Sequence, residues 1–260
     1  MHIVSYAIDI ILTAYIVWEV MRFSASYRLL KQALANGDTQ ARARVYRRAL
    51  MFEWVSALMA LAALRCDWGR MNPKLLALDG VPLIHAASHG SSFDWGMMTG
   101  VFFGVAMGTV GFIVVRLKAN RKGTAPAPDA PVRGLRRLMP DFTALIPVTM
   151  HERLLWALVA ISTGICEEIV FRGWLLATLH GPLLLGGTAL LVTASAIFGL
   201  AHAYQGFTGM VLTALAGAFF CGLYVATGSL LVPILLHVLI DIRFAILPAP
   251  RMQAPRVAYT

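Results

Sequence analysis

The chain has 260 residues, of which 58% are hydrophobic and only 13% charged, and its formal charge is +9. With a mean hydropathy of +0.71 and about half the usual share of charged residues, it lacks the polar side chains to cover a water-exposed surface, so lipid is the expected solvent. The charge does not indicate nucleic acid: Arg22, Arg28, Lys31, Arg42, Arg44, Arg47 and Arg48 fall between the first two apolar runs, and Arg116, Lys118, Arg121, Lys122, Arg133, Arg136 and Arg137 follow the third. Basic residues gathered in alternate loops orient a membrane protein and attract anionic lipid.

A spanning helix needs about 20 mostly apolar residues. In chain order the candidates are Ile3–Arg22, Ala49–Leu64, Trp95–Leu117, Leu154–Leu179, Leu183–Ala201, Gly206–Ala226 and Ser229–Leu247. The expected fold is therefore an all-α, polytopic transmembrane bundle of about seven spans. The first run carries Asp9 and Glu19 and no basic leader, so it reads as a retained span rather than a cleaved signal. The second is short and interrupted by Glu53. Between them, the basic stretch Ser24–Arg48 suits a helix lying along the interface, and Leu75–Ala87 suits an interfacial or re-entrant piece.

The segment TAPAPDAP, Thr124–Pro131, reads as a hinge. The chain then divides into N-terminal spans with a basic loop (1–123), a linker (124–150), a helical core (151–247) and a tail (248–260). Seven spans put both basic loops and the tail on one side, which makes that side cytoplasmic and the N-terminus external. Cys66, Cys166 and Cys221 are too scattered for a disulfide framework. Cys166 reads as a packing residue, since apolar surroundings keep a thiol inert. His85, His89 and Asp94 sit in a Gly/Ser-rich connection and read as solvated.

Ionisable side chains are costly inside a bilayer and usually face a protein interior with a use. The core holds three short patterns of them: EEIVFR from Glu167 to Arg172, FGLAH ending at His202, and HVLID from His237 to Asp241. Glu168 and Arg172 lie four apart on one helix face and are placed to pair, while Glu167 points about 100° away. That sorts the carboxylates into a neutralised, structural Glu168 and a free Glu167 suited to general-base work. His237 and Asp241 share a face of the last span. Singly, each pattern also reads as packing or neutralisation; together they supply a base, two imidazoles and a carboxylate, enough for hydrolysis.

The ordered set EExxxR, FxxxH and HxxxD on successive helices resembles the CPBP family, which comprises the type II CAAX prenyl proteases and the bacterial Abi or bacteriocin-processing proteins. The resemblance covers Leu154–Leu247. It implies an intramembrane endopeptidase acting on a membrane-tethered polypeptide; the Ala/Arg-rich composition points to a bacterial source, and so to an inner membrane. Glu167 and His202 would activate water, His237 and Asp241 would stabilise the oxyanion, and Glu168 and Arg172 would support them. Where the prenyl proteases typically have Asn, this chain has Asp241. A carboxylate does not donate to an oxyanion, so Asp241 is expected to orient His237 instead. No cofactor is favoured: HExxH is absent, although zinc held by His202, His237, Asp241 and Glu167 stays open. The other classes to weigh are a non-catalytic immunity or scaffold protein and a proton- or cation-coupled transporter, for which the same buried charges would form a relay.

Overall fold

A computed structural model describes residues 2–66, 141–181 and 183–246, and among these there are helices and no strand. The expected span Trp95–Leu117, the stretch Leu75–Ala87, the hinge Thr124–Pro131, the second basic loop, His85, His89, Asp94 and the tail lie outside the described residues.

Helices α1 (His2–Ala35) and α2 (Ala41–Cys66) form an antiparallel hairpin. The basic stretch Ser24–Arg48 is thus not a separate interfacial helix but the facing ends of two long ones. The break falls at Asn36-Gly37, where the chain leaves the helix through a left-handed residue that glycine adopts without a Cβ penalty: Gly37 has φ +82°. Asp38 N–H donates to the Ala33 carbonyl at 2.9 Å and Gly37 N–H to that of Leu34 at 3.1 Å, the double closure that satisfies a helix's last carbonyls. Asp38 then accepts from Gln40 N–H and pairs with Arg44, starting α2. The Arg44 guanidinium holds the Asp38 carboxyl below its ordinary range. Two of the basic residues serve packing rather than topology. Arg42 is 5% exposed; it donates to the Ala144 carbonyl at 2.8 Å and lies 3.6 Å from Glu152. Arg48 pairs with Glu19 at 2.8 Å.

Helix α3 (Met150–Glu168) begins in a reciprocal cap: Thr149 Oγ1 accepts from Glu152 N–H, and the Glu152 carboxylate accepts from Thr149 N–H. It runs without a break into a π-helical segment, Ile169–Leu175, and a short α4 (Leu176–His180). Then come α5 (Gly187–Ala201), a 3-10 turn (Ala203–Gln205), α6 (Gly206–Thr227), α7 (Leu231–Ile242) and a final 3-10 turn (Arg243–Ile246). Helix α3 is central: it packs against α2 on one side and α7 on another, while α5 pairs with α6. The α3–α7 approach is close because Gly164 has no side chain; a Cβ there would lie 2.4 Å from Val238 Cγ2.

Among the described residues, Ala41–Cys66, Met150–His180 and Ala203–Val225 are long and apolar enough to cross a membrane, and Gly187–Ala201 is a shorter apolar helix. Among the described residues the chain is all-helical, with these three segments as candidate spans of an integral membrane protein. The second expected span, weakest by sequence because of Glu53, is one of them.

Candidate active site

Glu167 and Glu168 end α3, and the π-helical segment that follows carries Arg172. Such widened turns are rare and gather at functional sites. Adjacent on the helix, the two carboxylates have different surroundings. Glu168 is fully buried, and its Oε1 lies 3.1 Å from Arg172 Nη1, the pairing expected from their spacing. Arg172 also donates to the Gly217 carbonyl at 3.3 Å, and its guanidinium lies over the rings of Phe198, at 4.4 Å, and Phe220, at 5.2 Å. A charge buried this far from water is tolerable only when so enclosed by partners. The Glu167 side chain keeps 18% of its surface exposed.

His202 caps α5 at its C-terminal end, with φ −101° and ψ 19°. Its Nδ1 lies 2.9 Å from the Phe198 carbonyl. A carbonyl only accepts, so Nδ1 carries the hydrogen and Nε2 is the functional nitrogen. That Nε2 lies 3.7 Å from Glu167 Oε1. The chain turns away immediately afterwards at Gly206, whose φ of +79° and ψ of 173° suit glycine alone.

His237, on α7, is held the same way by a different partner. Its Nδ1 lies 2.9 Å from Glu168 Oε1, and its ring stacks on Phe220 with centroids 5.0 Å apart. Its Nε2 faces Glu167 Oε2 at 4.0 Å and Asp241 Oδ2 at 3.6 Å. The ring is therefore oriented at Nδ1 by Glu168, and Asp241 approaches the opposite nitrogen. Glu168 joins the π segment to α7 as well as neutralising Arg172, a contact across 69 residues that helical spacing does not reveal.

All four expected site residues line one cavity of about 380 Å³. Much of the remaining wall is aromatic or apolar, with Phe52, Trp156, Phe198, Tyr204 and Phe220 in it, a low-dielectric setting that strengthens charge interactions inside. Cys166 is 1% exposed and packs in the hydrophobic core. Among the described residues no group of His, Cys, Asp and Glu is spaced to hold a metal ion.

The cavity also takes residues from outside the three motifs. Glu53 and Ser56 come from α2 and Thr163 from α3. The sequence signal for Glu53 is a lone acid in an apolar segment, a mark of function in a span, although the same acid also lowers the hydropathy of that span.

No curated protein and no solved structure matches the chain. Residues 149–243 match the model of the family described as type II CAAX prenyl endopeptidase Rce1-like. That segment starts at the cap of α3, ends just after α7, and contains every residue of the three motifs. From Thr149 to Arg243, a little over a third of its length, the chain is therefore similar to the Rce1-like type II CAAX prenyl endopeptidases.

Proposed function

We propose that the protein is an intramembrane endopeptidase in which Glu167 and His202 activate water against a peptide bond of a membrane-associated polypeptide. The observation that supports this best is one carboxylate facing two imidazole Nε2 atoms from separate helices, at 3.7 and 4.0 Å. Both gaps are too wide for direct hydrogen bonds and suit an intervening water or substrate oxygen.

In this reading water sits against Glu167. As its oxygen adds to the scissile carbonyl carbon, Glu167 takes one of its protons. His202, with Nδ1–H committed to the Phe198 carbonyl, keeps Nε2 for proton exchange with Glu167. His237, protonated on both nitrogens, donates Nε2–H to the developing oxyanion. Transfer of the proton held by Glu167 to the amide nitrogen lets the C–N bond break, giving a carboxylic acid and an amine. Asp241 flanks the His237 donor, and Glu168 with Arg172 fixes the ring behind it. No metal takes part in this scheme. The exposed basic residues Arg28, Lys31 and Arg47 beside the α1–α2 turn would meet anionic lipid of the cytoplasmic leaflet, leaving the N-terminus outside.

The test is cleavage of a membrane-anchored peptide library by the purified protein in proteoliposomes, with and without a chelator. Chelator-resistant cleavage is expected. Chelator-sensitive cleavage restored by zinc would replace the metal-free scheme. Ion flux without any cleavage would make the buried charges a transport relay.

A further inference from the structure

Two polar side chains on α2 have no use in the scheme above. Glu53 is 8% exposed and Ser56 is 3% exposed. Three residues apart on a helix, they lie on one face, and both line the cavity that holds Glu167. Glu53 Oε1 accepts from Thr163 Oγ1 at 2.6 Å. Glu53 Oε2 and Ser56 Oγ, both buried, have no hydrogen-bond partner among the described residues. Nearly all buried polar atoms in proteins are partnered, so two orphans on one face of one cavity call for a ligand.

Thr163 fixes where that ligand lies. It stands four residues before Glu167, on the same face of α3, so the bond from Thr163 ties the Glu53 carboxyl to α3 about one helical turn before the residue that carries the base. A second link, Trp54 Nε1 donating to Ser162 Oγ at 3.0 Å, fixes α2 against α3 at the same level. The orphaned pair offers an acceptor, Oε2, and a hydroxyl that both donates and accepts. An extended peptide presents the complement, a backbone N–H and a C=O on each residue.

We infer that Glu53 and Ser56 form a peptide-backbone subsite beside the catalytic carboxylate, with Glu53 Oε2 accepting a hydrogen bond from a substrate amide N–H. This rests on the hydrolase reading for its substrate class. It also gives the α1–α2 hairpin, which lies outside the matched segment 149–243, a part in substrate binding. Neither residue exchanges protons with the reacting bond. Both position the chain that contains it.

The experiment measures binding rather than turnover, with the full-length Glu167→Ala protein in nanodiscs. The probes are fluorescent, palmitoylated alanine–leucine peptides, each compared with analogues in which one backbone amide is replaced by an ester. The ester removes a single N–H donor. Glu53→Gln keeps an oxygen for Thr163 and turns the orphaned acceptor into a donor. Ser56→Ala leaves the Glu53–Thr163 bond in place and tests the second contact if Glu53→Gln lowers the melting temperature.

The expected result is one ester position that weakens binding severalfold, the scale of one hydrogen bond, and that has no effect once Glu53 is Gln. Ser56→Ala should weaken binding of the amide peptide severalfold without moving the melting temperature. Affinities that Glu53→Gln and Ser56→Ala leave unchanged, ester effects that persist in Glu53→Gln, or no binding of any amide probe would each overturn the subsite. Coupled binding without cleavage by the wild type would sink the hydrolase reading and leave the subsite standing. Cleavage that depends on Glu167 without the coupling would do the reverse.

Discussion

At the scale of single residues, two adjacent glutamates have opposite surroundings and should fail in opposite ways. Glu168→Gln leaves the Arg172 guanidinium, buried between Phe198 and Phe220, without its carboxylate. Breaking one side of a buried ion pair costs about 3–5 kcal/mol, so this variant should melt well below the wild type in detergent, whether or not substrate is present. Glu167→Gln should melt as the wild type does, because its carboxyl only faces the cavity. Asp241→Asn should retain most activity, measured as initial cleavage rate, since His237 is oriented through Nδ1 by Glu168; complete loss would move the orienting role to Asp241. The pairing of Glu168 with Arg172 was legible because it is local and follows from four-residue spacing. The Glu168–His237 bond was not, because sequence spacing says which residues share a face but not which face a distant helix presents.

At the scale of elements, the fit of α3 against α7 depends on Gly164. A Cβ there would lie 2.4 Å from Val238 Cγ2 and 3.0 Å from the Val238 backbone nitrogen, and Val238 adjoins His237. Gly164→Val should therefore destabilise the protein by about 1–3 kcal/mol, the usual cost of overpacking, and should lower kcat by shifting His237. Val238→Ala in the same chain should recover part of both, as melting temperature and cleavage rate would register. Apolar runs located the helices of the core to within a few residues, because hydropathy follows the lipid-facing and buried surfaces alike. They could not reveal the π-helical turn at Ile169–Leu175, which widens the helix without altering its composition. The Ser24–Arg48 stretch departs from expectation for a related reason. Its charges suggested a surface helix, whereas Arg42 and Arg48 are directed inward to carboxylates, and the true break is a glycine turn.

For the molecule as a whole, the large apolar side chains that stay exposed are spread along several helices, among them Met21 and Met51, Leu58, Leu154, Leu158 and Leu215. A soluble protein rarely leaves so much apolar surface uncovered, and lipid is its natural cover. The protein should accordingly stay with the membrane through alkaline washing and leave it only in detergent. The α1–α2 hairpin joins the matched segment at two levels of α2: Arg42, near its start, meets Glu152, and Glu53, at its middle, meets Thr163. One cavity is thus walled by the hairpin and the protease-like segment together.

The most direct measurement is the rate at which Glu167→Gln, shown by its melting curve to be folded, cleaves a membrane-anchored peptide in proteoliposomes beside the wild type. Loss of a positioned general base should slow cleavage roughly 10²–10⁴-fold, with the variant still binding the peptide. Undiminished cleavage by that variant would contradict a hydrolytic centre built on this carboxylate.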